Sequence, residues 1–190
     1  LTENAAHELK TPATTIEGYL ETLVKNPEIN ETKRKDFLEK CYAQSLRMSR
    51  LLSDMSTLTR LDEANIARPQ TLIDAAQIIR QIQDETMDKF ENQHIELQIQ
   101  IPSSLLMTGD SSLLYSLFRN IFSNTLAYAT NATFLRVEAT SMGNILIFRF
   151  IDNGVGVPSE QLPHIFERFY RIDKGRSRRL GGTGLGLAIV

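Results

Sequence analysis

The chain has 190 residues, of which 42% are hydrophobic and 23% charged, a composition that excludes a disordered or collagen-like protein. Lys and Arg number 21 against 23 Asp and Glu, for a formal net charge of −2; we expect no nucleic-acid partner, because such proteins normally carry a marked basic excess. The single cysteine, Cys41, excludes an internal disulfide, and no apolar run reaches the roughly 20 residues that span a bilayer, so we expect no direct membrane contact by this chain.

The first third of the chain predicts a helical hairpin. Apolar residues at helical spacing predict a helix from Thr2 to about Asn26, and Pro27 marks a turn. A second helix is predicted from about Glu31 to Asn65. It carries a heptad-like seam formed by Leu38, Cys41, Ser45, Met48, Leu52, Met55 and Thr59. Because a lone hairpin cannot bury such a seam, we expect two chains to pair into a dimeric four-helix bundle.

The remainder mixes helices and strands. Residues 67–71 contain a proline and predict a linker, after which residues 72–91 predict an amphipathic helix. Alternating residues predict a strand at 95–101, and a further helix is predicted at 113–129.

The last third predicts a strand pair and two short helices. The strands are expected at 134–139 and 144–151, around Ser141-Met142-Gly143; a short helix is predicted near 160–166, and an apolar helix ends the chain. We therefore expect an α+β protein with domains at residues 1–66 and 72–190, the second truncated because the chain stops within a predicted helix.

His7 stands in the first helix, in the segment His7-Glu8-Leu9-Lys10-Thr11-Pro12. A neutral imidazole can act as a nucleophile, and Thr11, one turn further on, shares its face. Pro12 crowds the carbonyl of Glu8 and predicts a bend beside the histidine. An exposed histidine at an incidental kink would have the same local sequence.

Asn120 and Asn124 place two amide oxygens on one face of a predicted helix, and Tyr128 extends that face by a turn. Amide oxygens suit a hard cation such as Mg²⁺, whose other ligands are usually waters and substrate phosphates. The alternative is a polar helix face beside the core.

Two glycine-rich turns follow. The first contains Asp152, Gly154 and Gly156; its carboxylate can accept a hydrogen bond from an amine such as that of adenine, although an ordinary Asx-Gly turn is the alternative. The second, 181–187, opens a helix whose bare N–H groups suit phosphate. It is neither a Walker A loop nor a convincing Rossmann fingerprint, since no Gly-Lys-Ser/Thr occurs and a basic loop precedes it.

Between the two turns, the stretch 167–179 holds six cations and two acids, a local net charge of +4. A solvated charged loop is the simplest interpretation of such a run. Its position between glycine-rich turns favours a mobile lid over an anionic ligand.

In this order, the segments resemble the catalytic core of bacterial sensor histidine kinases of two-component signalling. The matching segments are a phosphoacceptor box at His7–Pro12, an N box at Asn120–Tyr128, a first glycine box at Asp152–Val157, an F box at Phe166–Arg171 and a second glycine box at Gly182–Leu187. The resemblance implies a dimerisation and phosphotransfer hairpin followed by an α/β sandwich ATP-binding domain of the gyrase, Hsp90 and histidine-kinase type.

By that resemblance, His7 attacks the γ-phosphate of ATP, and its phosphoryl group passes to an aspartate on the receiver domain of a response regulator. Glu8 accepts or orients the proton on the other imidazole nitrogen. Thr11 corresponds to the position that orients water for dephosphorylating the regulator, and Arg171 to the arginine that reaches the γ-phosphate.

The resemblance also implies a nucleotide site. Asn124, with Asn120 nearby, would hold Mg²⁺, Tyr128 would pack on adenine, and Asp152 would bind its amino group. The remaining positions expected to contact nucleotide are Gly154, Gly156, Tyr170, Lys174, Gly182, Thr183, Gly184, Leu185 and Gly186.

One departure from the family stands in the N box. The family usually has a lysine there, reaching the phosphates, where this chain has Ala127; Lys174 or Arg176 could compensate. The departure keeps open a nucleotide-sensing or degenerate signalling module without kinase activity. A gyrase- or Hsp90-like ATPase is a second alternative, which leaves the His7 segment unexplained. As a kinase core, the chain is expected to be the cytoplasmic portion of an inner-membrane-anchored protein.

Overall fold

A computed structural model describes residues 2–62, 71–172 and 182–190, and for residues 2 and 3 it describes the backbone. It begins with two helices, α1 (Thr2–Lys25) and α2 (Glu31–Asp62), which pack along each other. The predicted hairpin is therefore confirmed. Residues 63–65, the predicted end of the second helix, and 67–70, most of the predicted linker, lie outside the described residues.

Side-chain hydrogen bonds fix the hairpin turn. Asn26 Nδ2 donates to the carbonyl of Thr22 at 2.9 Å, and Asn30 Oδ1 accepts from the amide of Lys33 at 2.9 Å. These bonds satisfy backbone groups that a helix end leaves without intrahelical partners. The first helix continues through Pro12 without interruption.

The seam predicted for α2 is only partly covered in the single chain: Cys41 is buried, whereas Leu38 and Leu52 are 50% and 53% exposed, as an unpaired hairpin would leave them. Arg47, Leu51 and Leu58, outside that seam, are buried as well. The reason is that α2 packs both on α1 and on the last helix of the chain. A heptad pattern does not state which face meets which partner.

The second part of the chain is an α/β sandwich, which confirms the predicted fold class. In chain order its elements are β1 (Thr71–Asp74), α3 (Ala75–Asn92), β2 (Glu96–Gln100), β3 (Leu106–Gly109), α4 (Ser111–Tyr128), β4 (Phe134–Met142), β5 (Ile145–Asp152), a 3₁₀ turn (Leu162–His164) and α5 (Gly186–Ile189). Within the described ranges the strands form two sheets, an antiparallel β1–β3 pair and a β2–β4–β5 sheet with parallel β2–β4 and antiparallel β4–β5.

The core lies between α3, α4 and the three-stranded sheet. Its fully buried side chains include Ile79, Phe90, Phe118, Phe122 and Leu135. The rings of Phe90 and Phe122 meet edge to face, with centroids 6.1 Å apart. The polar face of α4 that bears Asn120 and Asn124 is thereby fixed relative to the sheet.

The helix predicted from residue 72 is wrong at its start. Residues 71–74 form β1, in which Leu72 is 70% exposed and Ile73 is buried, and the helix begins only at Ala75. The physical cause is Asp74, whose Oδ1 accepts from the amides of Ala76 at 2.9 Å and Leu105 at 2.8 Å. It caps α3 and holds the segment before β3, a strand the sequence interpretation missed.

The short helix predicted near 160–166 is also wrong, because only one 3₁₀ turn forms there, at Leu162–His164. Leu162 and Phe166 are 50% and 57% exposed. Without an apolar face to bury, a longer helix gains too little to offset its nucleation cost. No helix within the described ranges is long and apolar enough to cross a membrane.

Candidate functional site

His7 is exposed on α1, beside an open groove of about 390 Å³. Lys10, Thr11, Thr14 and Thr15 line the same groove. Thr11 Oγ1 donates to the backbone carbonyl of His7 at 3.2 Å, as a threonine one turn along a helix commonly does. The imidazole and the Thr11 side chain therefore face one solvent-accessible surface.

Glu8 lies in the contact between the hairpin and the second part of the chain. Its Oε2 accepts from Nη2 of Arg47 and from Nη2 of Arg171, each at 2.9 Å. The side chains of Glu8, Arg47 and Arg171 are 15%, 6% and 5% exposed. Charge-assisted hydrogen bonds of this kind are about twice as strong as neutral ones. Arg171 Nη2 also donates to the carbonyl of Thr183 at 2.8 Å.

Sequence reasoning missed Arg47. It lies on α2 in a stretch of polar residues, and nothing in its neighbourhood distinguishes it from the solvated arginines of the same helix. Its burial becomes visible only when α1 is packed against α2.

A second polar contact joins α2 to the second glycine segment, Gly182–Leu187. Thr183 Oγ1 donates to Asp54 Oδ2 at 2.6 Å and accepts from the amide of Leu185 at 3.2 Å. Burial raises the pKa of Asp54, and the hydrogen bond from Thr183 opposes that rise. Asp54 was likewise absent from the sequence interpretation.

Apolar side chains surround these contacts. Leu51 and Leu58 of α2 form a buried cluster with Leu185 and Ile189, and Phe169 packs against it. Leu185 is fully buried. The nucleotide contact predicted for Leu185 is therefore not supported, because its side chain is buried and its amide donates to Thr183 Oγ1.

Two exposed ion pairs flank the same contact. Arg60 Nη2 lies 2.7 Å from Asp110 Oδ2, and Arg168 Nη1 donates to Asp62 Oδ2 at 2.9 Å. The hydrogen bond from Arg168 lowers the pKa of Asp62. Ion pairs at the surface contribute little, because water screens them, so the buried contacts dominate.

Asn120 and Asn124 lie half-buried on α4. A Cβ at Gly186 would lie 3.2 Å from Asn120 Oδ1, so the backbone that opens α5 approaches this amide closely. The Asn124 Nδ2 atom is buried and has no hydrogen-bond partner among the described residues. An unsatisfied amide is costly in a folded protein, and a polar ligand would satisfy it.

The amide pair fits Mg²⁺, a cation that prefers oxygen ligands and retains several waters or phosphate oxygens. The described residues hold no cluster of three or more His, Cys, Asp or Glu side chains that could bind a metal ion instead. A cation at Asn120 and Asn124 would therefore depend on substrate oxygens to complete its ligands.

The first glycine turn lies against the end of α4. A Cβ at Gly154 would lie 2.7 Å from Ala129 Cα, so the turn contacts the residue that follows Tyr128. Asp152 is exposed, and its Oδ1 accepts from the amide of Gly154 at 2.9 Å. Gly156 has a φ of 68°, a conformation that favours glycine.

The F segment, Phe166–Arg171, packs on the second glycine segment. The amide of Phe169 donates to the carbonyl of Gly184 at 2.7 Å, and the two residues have φ angles of 65° and 72°. A left-handed conformation is costly for a phenylalanine and is found where surrounding contacts enforce it. Tyr170 donates its hydroxyl hydrogen to Gln161 Oε1. Lys174 and Arg176, predicted to belong to the lid, lie outside the described residues.

The predicted segments thus meet around α4. Asn120 contacts Gly186, Gly154 contacts the end of the helix, and the F segment holds Gly184. Arg171 connects this group to Glu8, one residue from His7. Gly182, half-buried, begins the described part of the second glycine segment.

Comparison with protein families gives two matches. Residues 1–64 match the His Kinase A (phospho-acceptor) domain, and residues 109–190 match the histidine kinase-, DNA gyrase B- and HSP90-like ATPase family.

Individual relatives agree with these two family matches. The chain is 33% identical over 187 residues to the sensor-like histidine kinase SenX3 of Mycolicibacterium smegmatis, covering 98% of this chain and 48% of that protein. It is 34% identical over 188 residues to the phosphate regulon sensor protein PhoR of Haemophilus influenzae, covering 98% of this chain and 43% of that protein. The chain therefore spans less than half the length of these relatives.

Solved structures share the fold. The Acinetobacter baumannii histidine kinase AdeS superposes with a TM-score of 0.73 at 22% identity, covering 96% of this chain and 83% of that one. The histidine kinase ThkA, in complex with the response regulator protein TrrA, gives a TM-score of 0.67 at 20% identity, covering 90% of this chain and 50% of that one.

Proposed function

The chain belongs to the two-component sensor histidine kinases, whose catalytic core it carries, and we propose that it transfers the γ-phosphoryl group of ATP to His7 and then to an aspartate of a response regulator. The observation that carries this proposal is the contact of Arg171 with Glu8. It brings the arginine assigned to the γ-phosphate beside the residue that follows His7.

The domain assignment is part of the proposal. Residues 1–66 serve dimerisation and phosphotransfer, and residues 72–190 bind nucleotide. The family matches at 1–64 and 109–190 support this division, as does the separate core of the α/β sandwich.

The nucleotide site is assigned to the residues around α4. Asn120 and Asn124 would hold Mg²⁺, which neutralises charge on the phosphates when bound. Asp152 accepts a hydrogen bond from the adenine amine, and Tyr128 packs on the ring. Backbone amides of the second glycine segment bind phosphate oxygens at the start of α5.

Arg171 has two partners in this mechanism. In the described arrangement its Nη2 donates to Glu8 and to the carbonyl of Thr183. Glu8 competes with the transferring phosphoryl group for this guanidinium, and we infer that Arg171 leaves Glu8 when it stabilises charge on that group. The arrangement is accordingly the one that precedes transfer, and the second domain moves relative to the hairpin before His7 reacts.

Thr11 extends the proposal to dephosphorylation of the response regulator. Its hydroxyl lies at the His7 groove, where it can orient a water molecule for dephosphorylating a docked regulator. The complex of ThkA with its response regulator supports a receiver domain as the partner.

A dimer is supported by the exposed apolar residues of the hairpin. Val24 is 80% and Tyr42 is 67% exposed. The others are Leu20, Leu38, Leu46 and Leu52. A second hairpin would cover them in a four-helix bundle. We also infer, from the sensor names of the relatives, that this core works on the cytoplasmic side of a membrane-anchored protein.

The test is incubation with γ-labelled ATP and Mg²⁺, followed by measurement of acid-labile phosphate on the protein. His7→Gln should abolish the label. His94→Asn is the matched control, because His94 is exposed on the second domain and has a φ of 57° that asparagine tolerates. Label persisting in His7→Gln would reject His7 as acceptor.

One departure favours a second candidate, a nucleotide-binding module without kinase activity. Ala127 stands where the family usually has a phosphate-binding lysine. A nucleotide titration beside the labelling experiment distinguishes it: nucleotide binding without labelling would support this candidate. Steady release of phosphate without a phosphoprotein would instead support a gyrase- or Hsp90-like ATPase.

A further inference from the structure

Arg47 is a buried cation that the proposed mechanism does not yet use. It lies on α2 with a side chain only 6% exposed, and its Nη2 is 2.9 Å from Glu8 Oε2. Long arginine side chains on helices normally keep their charge in water. A buried arginine on the carboxylate next to the proposed phosphoacceptor therefore needs an explanation.

The two arginines on Glu8 differ in how they reach it. Arg47 belongs to the same hairpin, 39 residues from Glu8, and the pair is part of the packing of α2 on α1. Arg171 comes from the second domain, 163 residues away. When Arg171 leaves for the triphosphate, Glu8 loses one of these partners and keeps the other.

Glu8 needs to be held because of where it stands on the helix. Adjacent helical residues point about 100° apart, so its carboxylate can approach the His7 imidazole only in a few side-chain conformations. An ion pair on one oxygen, Oε2, limits those conformations. With Oε2 held by Arg47, the position of the other carboxylate oxygen, Oε1, is restricted as well.

We propose that Arg47 is a positioning residue, which fixes the Glu8 carboxylate for the reaction of His7 after Arg171 has moved to the nucleotide. The inference rests on the proposed function. In the step concerned, one imidazole nitrogen forms the N–P bond while the bond from the γ-phosphorus to the bridging oxygen breaks, and its electron pair leaves with ADP. The proton on the other imidazole nitrogen is held by Glu8, which Arg47 orients.

The experiment measures autophosphorylation of the full chain with γ-labelled ATP and Mg²⁺, as kcat and as KM for ATP. The variants are Arg47→Met, Arg47→Lys, Glu8→Gln and the double variant Glu8→Gln/Arg47→Met. Arg50→Met is the matched control, because it removes the same charge from an exposed position on the same helix.

Arg47→Met should lower kcat about 10- to 100-fold, the range expected for loss of positioning, with KM for ATP unchanged. The double variant should be no more than about twofold slower than Glu8→Gln, because Arg47 acts through Glu8. Arg47→Lys should recover most of the rate, since its ammonium also donates to Oε2. Arg50→Met should react as the unsubstituted chain does.

The inference would be overturned by an unchanged rate in Arg47→Met, by a loss that adds in full to that of Glu8→Gln, or by a change confined to KM. Thermal unfolding of each variant identifies a folding defect, and Arg47→Lys then decides, because a rate far below that of the unsubstituted chain despite an intact fold rejects the inference. Failure of the unsubstituted chain to label would reject the proposed function itself.

Discussion

Gly154→Ala tests whether the first glycine turn has to lie against the end of α4. The added Cβ would stand 2.7 Å from both Cα and Cβ of Ala129 and 3.0 Å from its carbonyl carbon. Ordinary carbon contacts are about 3.5–4.0 Å, so the overlap is roughly 0.5–1.3 Å. Because two of the three atoms are backbone, no side-chain rotation relieves it, and overpacking of this kind costs about 1–3 kcal/mol.

The strain would be released by moving the turn, and Asp152 with it, away from the end of α4. We expect the affinity for ADP, measured by calorimetric titration, to fall about tenfold or more, and the unfolding midpoint to fall as well. Gly143→Ala is the control. Its φ of 61° makes alanine strained, but nothing lies within 4 Å of the added Cβ, and the position is at the tip of the β4–β5 hairpin.

Gly143→Ala should therefore lower stability and leave ADP affinity unchanged. If Gly154→Ala bound ADP as tightly as the unsubstituted chain, the close approach of this turn to α4 would not be part of the nucleotide site, and the reasoning would be refuted.

Three further predictions concern stability. Gly18→Ala should stabilise the chain by about 0.5–1 kcal/mol in thermal unfolding, because Gly18 is helical and an added Cβ has nothing within 4 Å; destabilisation would show a contact there. Phe118→Ala should cost about 3–5 kcal/mol in denaturant unfolding, because Phe118 is 1% exposed, whereas Phe166→Ala at 57% exposure should cost far less; equal losses would contradict this. Burial raises the pKa of Asp54, so this carboxyl contributes stability that is fully present below the ordinary aspartate pKa of about 3.9 and is lost as pH rises through the raised pKa. Unfolding midpoints measured between about pH 3.5 and 7 should therefore fall with pH, and Asp54→Asn should remove that dependence on pH. Parallel slopes in the variant and the unsubstituted chain would refute this.

The sequence predicted those elements whose pattern is local. The strict alternation through Ile95 and Ile99 predicted β2, and the apolar runs beside Gly143 predicted the β4–β5 hairpin, because both patterns repeat within a few residues. The strand β3 was not predicted, because its four residues are too few for an alternating pattern to be recognised. Its pairing with β1 depends on Asp74, whose side chain bonds the amide of Leu105, 31 residues further along the chain.

The residues of the candidate site likewise divide into those that a local pattern predicts and those that it does not. Motif residues such as Asn120 and Gly154 were identified because each belongs to a short recognisable segment, and the structure brings these segments to α4. Arg47 and Asp54 belong to no such segment. Their significance lies in the residues they contact, and periodicity contains no information about that.

The contacts between the hairpin and the second domain are the ones that the sequence predicts least. Glu8 meets Arg171 across 163 residues, and Asp54 meets Thr183 across 129. Helical charge pairs can be inferred from spacings of three or four residues, but these spacings follow no rule. The contacts are nonetheless specific, because the side chains of Glu8 and Arg171 are largely buried and a buried charge without its partner costs about 3–5 kcal/mol. A different placement of the second domain would therefore have to supply Arg171 with another anion, and the phosphates of a nucleotide are the anion that its position beside the second glycine segment fits.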